Sequence, residues 1–244
     1  MSRVVSLYLP TWPTDRLRRH TGASHDGSTV ASGEGSGDVP PLILVGRGGR
    51  KRVVVAADTQ ARSLGIQPGM AASMAQALVA GLVVQDADPV ADAQALDRLA
   101  LWLLRRYAPV VATDPPDGLM IDVTGATHLH GGETATLADI VERLATVGIA
   151  ARVAVAATYG AAHALARFQS SPITAIDEAS HDALVMLPIA ALRLPVITID
   201  GLRRLGFDRV GELAATPRAP LALRFGSEVG RLPNRSIIDL PSRA

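Results

Sequence analysis

Between Thr113 and Thr124 the chain reads TDPPDGLMIDVT, and this stretch limits its fold more tightly than any other. Apolar runs at residues 107–112 and 119–123 flank a Pro-Pro-Asp-Gly cluster, the chemistry of a tight turn, so the stretch predicts a β-hairpin. Asp114 and Asp117 fall at its tip. Hard cations take closely placed carboxylate oxygens, so acids at the end of a small sheet form a candidate magnesium-presenting element. The competing reading is conformational, because Asp before Gly is favoured in turns for backbone reasons alone. Asp122, inside the second strand, reads as a structural side chain bonded to a neighbour.

Composition sets outer bounds. At 244 residues and 48% hydrophobic, the chain has material for one large domain or two to three small ones. Cysteine is absent, which excludes a disulfide framework or thiolate metal site and fits a reducing, cytoplasmic interior. The first apolar run, VVSLYL, ends at Pro10. It is far short of the roughly 20 residues of a membrane span, so it reads as a strand and no membrane association is expected. The net charge of +1 hides an asymmetry: from Arg193 onward nine arginines face five acids, which favours an anionic partner. Aromatics make up only 3%, too few for a base-stacking single-strand binder.

Taken in order, residues 3–9 predict a buried strand, and Thr14 is the expected N-cap of a short basic helix through Arg19. Residues 20–38 carry Gly, Ser, Thr and His with almost no large apolar side chain, a flexible insertion. LILVG and RVVVAAD predict a second hairpin, with a basic tip from Arg47 to Arg52. Asp58 reads as the N-cap of a helix closed by Gly65, and another short helix (72–79) and a strand (82–85) follow. Residues 92–106 place Ala95, Leu96, Leu99, Trp102 and Leu103 at helical spacing, a stripe read as core. Beyond the acidic hairpin come a helix over 133–147 closed by Gly148, a strand over 151–156 and a helix over 159–168. Short helices over 180–186, 188–192, 200–205 and 210–214 then alternate with prolines, and the sequence loses periodicity after Gly230. This order predicts an α/β (α+β) fold in which helices cover one face of a mostly antiparallel, ferredoxin-like sheet.

Four motifs in this order resemble the Y-family translesion DNA polymerases, most closely their ImuB-like branch. ADTQARSLGIQPGM resembles the fingers motif, DPPDGLMIDVTGATHLHGGE the palm hairpin, RVAVAATYGAAHALARF the following strand and helix, and LRRLGFDRVGELAATPRAPLALRFG the thumb. The resemblance implies a palm with small fingers and a helical thumb. The implied boundaries are first palm strand and helix 1–19, insertion 20–39, fingers 40–80, palm 81–178, thumb 179–226 and irregular tail 227–244. The little finger and clamp-binding segment that follow the thumb in this group have no counterpart, so the chain resembles a partial copy.

Departures from the family pattern carry the functional expectation. Where active members place an aspartate on the first strand, this chain has Leu7-Tyr8-Leu9-Pro10-Thr11-Trp12. Where the palm hairpin holds an Asp-Glu pair, it has Asp117-Gly118. Two-metal catalysis needs bridging acidic ligands about 4 Å apart, so the resemblance implies that nucleotidyl transfer is lost and no cofactor is required. Thr59 replaces the fingers tyrosine, and Arg62 matches the arginine that contacts an incoming triphosphate. The family's lysine in the helix after the palm strand has no match, His163 and Arg167 being the nearest basic residues. Arg203 and Arg204 in the thumb, with Lys51 and Arg52 at the basic hairpin, are the candidate DNA contacts. The Gly-x-Gly phosphate-binding turn of the thumb is replaced by RLPVI. The implied role is an accessory protein of damage-induced mutagenesis, active on damaged or primer-template DNA. Its implied partners are a RecA-like protein, an error-prone replicative-type polymerase and, in full-length relatives, the sliding clamp. The alternative is a low-activity polymerase whose Mg2+ site is rebuilt from Asp117 and Asp114. A nucleotide cyclase-like palm would need the same carboxylates. His128 and His130 lack a third ligand for zinc.

Overall fold

The computed structural model describes residues 2–23, 39–169, 171–175 and 181–225. Strand β1 (Val4–Tyr8) is followed by α1 (Trp12–Ala23), β2 (Leu42–Gly48), β3 (Lys51–Ala57), α2 (Thr59–Ser63), α3 (Ala72–Leu78) and β4 (Val83–Asp86). The long α4 (Pro89–Arg106) leads into the hairpin β5 (Val110–Asp114) and β6 (Gly118–Asp122), then α5 (Glu133–Thr146). Next come β7 (Arg152–Ala156), α6 (Tyr159–Phe168) and β8 (Ile173–Ala175). The helices α7 (His181–Val185), α8 (Val196–Arg204), α9 (Val210–Ala214) and α10 (Arg218–Phe225) close the described part, with a 3-10 turn at Ile189–Leu192. Most of the expected insertion, residues 24–38, and the expected tail from residue 227 lie outside the described residues.

The chain divides into two compact units, one of Met1–Tyr8, Leu99–Glu142 and Ala151–Ala244, the other of Leu9–Arg98 and Arg143–Ala150. The first holds a five-stranded sheet of order β5-β6-β1-β7-β8, antiparallel except for the β7–β8 pair. Side chains alternate across a strand, so β1 has two unlike faces. Val5 and Leu7 lie in register with Ile121, Leu119, Val155 and Val153, all buried. On the other face are Ser6 and Tyr8, opposite Met120, Gly118, Ala154 and Arg152. Ala154 and Ala156 pack here with Ala161, Ala162, Leu165 and Ala166 of α6, whose small side chains permit close approach. Leu187, Ile189, Leu192, Leu202, Val210 and Leu213 extend the same core into the helical segment. Thr158 caps α6 by accepting a bond from the Ala161 amide at 3.2 Å.

The second unit contains a three-stranded sheet, β3-β2-β4. Ile43, Val45, Val54, Ala57, Ala61, Ile66, Ala72 and Ala75 form its core with α2 and α3. Asp58 caps α2 as expected, accepting the Ala61 amide at 2.7 Å and the Leu42 amide at 3.0 Å, while Arg18 pairs with the same carboxylate. Gly65 follows α2 at φ +89°, the left-handed conformation that suits glycine after a helix.

Several helices begin earlier than the sequence reading places them. The first helix starts at Trp12 and runs to Ala23, so Thr14 lies inside it and bonds the Thr11 carbonyl instead of capping. Pro13 fits the first turn because its missing N–H would be unbonded there anyway. The same chemistry starts α4 at Pro89, three residues before Asp92, with the Asp88 carboxylate accepting the Ala91 amide at 2.9 Å. α8 likewise starts at Val196, directly after Pro195, not at Asp200. Strand β8 carried no recognised sequence signal, being three residues long.

Candidate functional site

The acidic hairpin closes through residues 115–117, and the Pro115–Pro116 peptide is cis. Pairing across the sheet sets up one row of side chains. Asp114 faces Gly118, Gly118 faces Tyr8, and Tyr8 faces Arg152. These four positions share a face of the sheet, at the end where the candidate metal ligands were expected. α6 runs back over that face and delivers His163 and Arg167, which are four residues apart and so lie on one side of the helix.

Arg167 sits at the centre of the cluster. Its Nη2 donates to Asp117 Oδ1 at 2.8 Å and lies 3.5 Å from Asp114 Oδ2. Its guanidinium stacks 4.7 Å over the centroid of the Tyr8 ring, a cation–π contact. A Cβ at position 118 would meet Arg167 Nη2 at 2.8 Å, with the Asp114 and Leu7 carbonyls at 3.1 and 3.3 Å. Glycine is therefore what leaves room for the cation. Arg193, from the segment before α8, donates to Asp114 Oδ1 at 2.9 Å. His163 Nε2 stands 3.6 Å from Asp114 Oδ2.

Two guanidiniums, of Arg167 and Arg193, thus pair with the two carboxylates, and Arg152 lies in register with Tyr8 on the same face of the sheet. Burial, reinforced by the charges of Arg167 and Arg193 against the pull of Asp114, lowers the His163 pKa to about 4. The histidine is neutral at pH 7. Arg152 Nε and Nη2 and Arg167 Nη1 are buried without a hydrogen-bond partner. This donor set does not fit the magnesium pair of an active polymerase. Tyr8 offers no carboxylate opposite the hairpin, and the two carboxylates there are already paired with guanidiniums. Among the described residues no group of three or more His, Cys, Asp or Glu is placed to hold a metal ion.

The remaining candidates are scattered. Arg62 lies in the last turn of α2 with Nε donating to the Ala57 carbonyl at 2.9 Å and Nη2 to the Pro10 carbonyl at 2.6 Å, so its guanidinium is engaged by backbone. Lys51 and Arg52 are exposed at the start of β3, and Arg52 pairs with Asp86 on the surface. Arg203 and Arg204 lie exposed in the last turn of α8, Arg203 at 3.9 Å from Asp200. At the other end of α8, Val196 and Ile197 are 75% and 82% exposed, so that turn presents apolar side chains where glycines would present amides. Asp122 accepts the Thr124 amide at 2.9 Å, the local role expected of it. His130 stacks near Tyr107.

Sequence reasoning did not identify Tyr8, Arg152 or Arg193 as members of this cluster. The one available signal was the His163/Arg167 spacing on a helix following a hairpin that had lost a carboxylate to glycine.

Comparison with known proteins places this geometry in context. The model of the impB/mucB/samB family matches residues 39–167. Protein ImuB of Caulobacter vibrioides (strain NA1000 / CB15N) is 50% identical over 163 residues, covering 67% of this chain and 35% of that protein. DNA polymerase IV of Dehalococcoides mccartyi (strain CBDB1) is 28% identical over 215 residues, 84% of this chain and 55% of the relative. The chain therefore spans about a third of the length of the ImuB relative. Among solved structures, the insertion ternary complex of Dbh DNA polymerase superposes with a TM-score of 0.72 at 17% identity, covering 98% of this chain and 69% of that one. DinB from Sulfolobus solfataricus superposes at 0.67 and 17%, covering 93% and 64%. The fold is that of the Y-family DNA polymerases, and the chain belongs to the impB/mucB/samB family.

Proposed function

We propose that this chain is part of a non-catalytic accessory protein of damage-induced mutagenesis, a Y-family polymerase-like scaffold that binds DNA and partner proteins without transferring nucleotides. The observation that carries the reading is Arg167: a guanidinium lies against both carboxylates at the hairpin tip, and Tyr8 stands across the sheet from Gly118. A divalent-metal mechanism requires oxygen ligands free to bridge two ions, and this arrangement neutralises them internally. The relatives named Protein ImuB and DNA polymerase IV support the same setting of damaged or primer-template DNA. Contact with DNA runs through phosphates, with Arg203, Arg204, Lys51 and Arg52 as the candidate donors, since all four are exposed. A RecA-like protein, an error-prone replicative-type polymerase and the sliding clamp are the proposed partners of the whole protein, in the cytoplasm.

The alternative of a weak polymerase with a rebuilt site requires Asp114 and Asp117 to release Arg167 and Arg193. Primer extension on undamaged and abasic templates, with Mg2+ or Mn2+, separates the two. The proposal expects binding without extension. Extension that disappears in Asp117→Ala overturns it.

A further inference from the structure

The cluster contains a backbone feature that loss of catalysis does not explain. Arg193 has φ 53° and ψ 24°, the one non-glycine residue at positive φ among the described residues. A side chain with a Cβ avoids that conformation unless its surroundings over-determine it. Here the 3-10 turn before it is anchored by buried Ile189, Ala191 and Leu192 in the core shared with α6. Pro195 directly follows Leu194 and leads into α8. In this conformation Arg193 reaches Asp114 Oδ1, 2.9 Å away and 79 residues distant in sequence. Arg167 holds the other side of the same carboxylate and bonds Asp117, in the space left by Gly118.

We propose that Asp114 and Asp117 form a latch closed by two tethered cations, Arg167 and Arg193, which fixes the segment leading into α8 to the hairpin without a divalent metal. Asp114 is the shared element: its side chain is 11% exposed and meets Arg167, Arg193 and His163. An ion that competes for Asp114 would release Arg193, so metal binding and a closed latch exclude each other. The inference rests on the reading that these acids no longer serve catalysis, and it adds what they do instead.

Hydrogen exchange of the full chain, followed by mass spectrometry at neutral pH with either EDTA or millimolar MgCl2, tests it. In the wild-type chain the amides of residues 189–199 should exchange at the same rate in both buffers. Asp114→Asn and Arg193→Ala should each speed exchange there by about tenfold, the double variant adding nothing further, while β1, β6 and β7 stay protected. Unchanged exchange over 189–199 in both single variants overturns the latch, as does a slowing of that exchange by Mg2+. Should Asp114→Asn open the sheet as well, Arg193→Ala decides alone, because its side chain is 36% exposed and removing it leaves no large cavity. Primer extension by the same preparation defeats the accessory reading. Insensitive exchange without extension defeats the latch and leaves that reading standing.

Discussion

Asp58 and Asp114 are both largely buried carboxylates beside arginines, yet they are held in different ways. Asp58 accepts two backbone amides, of Ala61 and Leu42, and pairs with Arg18. Its oxygens are used by the chain around it, as a helix cap and strand tie. Asp15 is similar, taking the Thr11 hydroxyl and the Ala150 amide, although desolvation raises its pKa despite those bonds. Asp114 accepts no amide. Its partners are side chains, the guanidiniums of Arg167 and Arg193 and the neutral His163, and Oδ2 lacks any close hydrogen bond. A carboxylate woven into backbone ties its own neighbourhood together, whereas Asp114 is met by side chains alone, and its counter-charge comes from residues distant in sequence.

That contrast can be broken at its strongest point first. Asp58→Ala should cost about 3 kcal/mol in a denaturant titration, since it removes a cap, leaves the Leu42 amide unpaired and strands Arg18. Arg167→Ala should cost less, about 1–2 kcal/mol, because Asp114 retains Arg193 and Asp117 has partial solvent access. It should also soften another substitution: Gly118→Ala is destabilising in the wild-type chain and less so once Arg167 is gone, because Nη2 at 2.8 Å no longer stands in its way while the Asp114 and Leu7 carbonyls at 3.1 and 3.3 Å still do.

The histidine beside Asp114 adds a pH dependence of its own. The folded-state pKa of His163 is lowered to about 4 from 6.5, so the unfolded chain binds the extra proton between those values. Stability from this group is complete above 6.5 and falls as pH drops towards 4, by on the order of 3 kcal/mol. His163→Gln should flatten that slope in melts between pH 7 and 4, with Asp114, Arg167 and Arg193 unchanged around it. The smallest effect belongs to Arg52→Ala. Its pair with Asp86 is 58% and 83% exposed, so stability should move by less than about 0.5 kcal/mol, measurable only as a weaker salt dependence of DNA binding.

Where local chemistry decides, the sequence was readable. The Pro-Pro-Asp-Gly turn, the Asp58 cap and the glycine at 148 each carry their signal within a few residues, and each element formed where that signal stood. The exceptions among helix starts share a cause: Pro13, Pro89 and Pro195 each lie at or next to a helix start, where a missing N–H costs nothing, ahead of the polar residue that reads as the start. The candidate site was legible only in part. Asp114 and Asp117 were visible as a pair, and the missing first-strand acid was visible from the family pattern. That Arg167 and Arg193 converge on them was not, because those contacts span 50 and 79 residues and depend on register and helix phase.

The central claim is that built-in cations now occupy the acids of the hairpin. Titration of Mn2+ into the purified chain, read by electron paramagnetic resonance, tests this most directly. The account predicts no stoichiometric site in the wild-type chain, the added ion remaining free. A tight Mn2+ site that vanishes when Asp114 and Asp117 are both changed to Asn would contradict it.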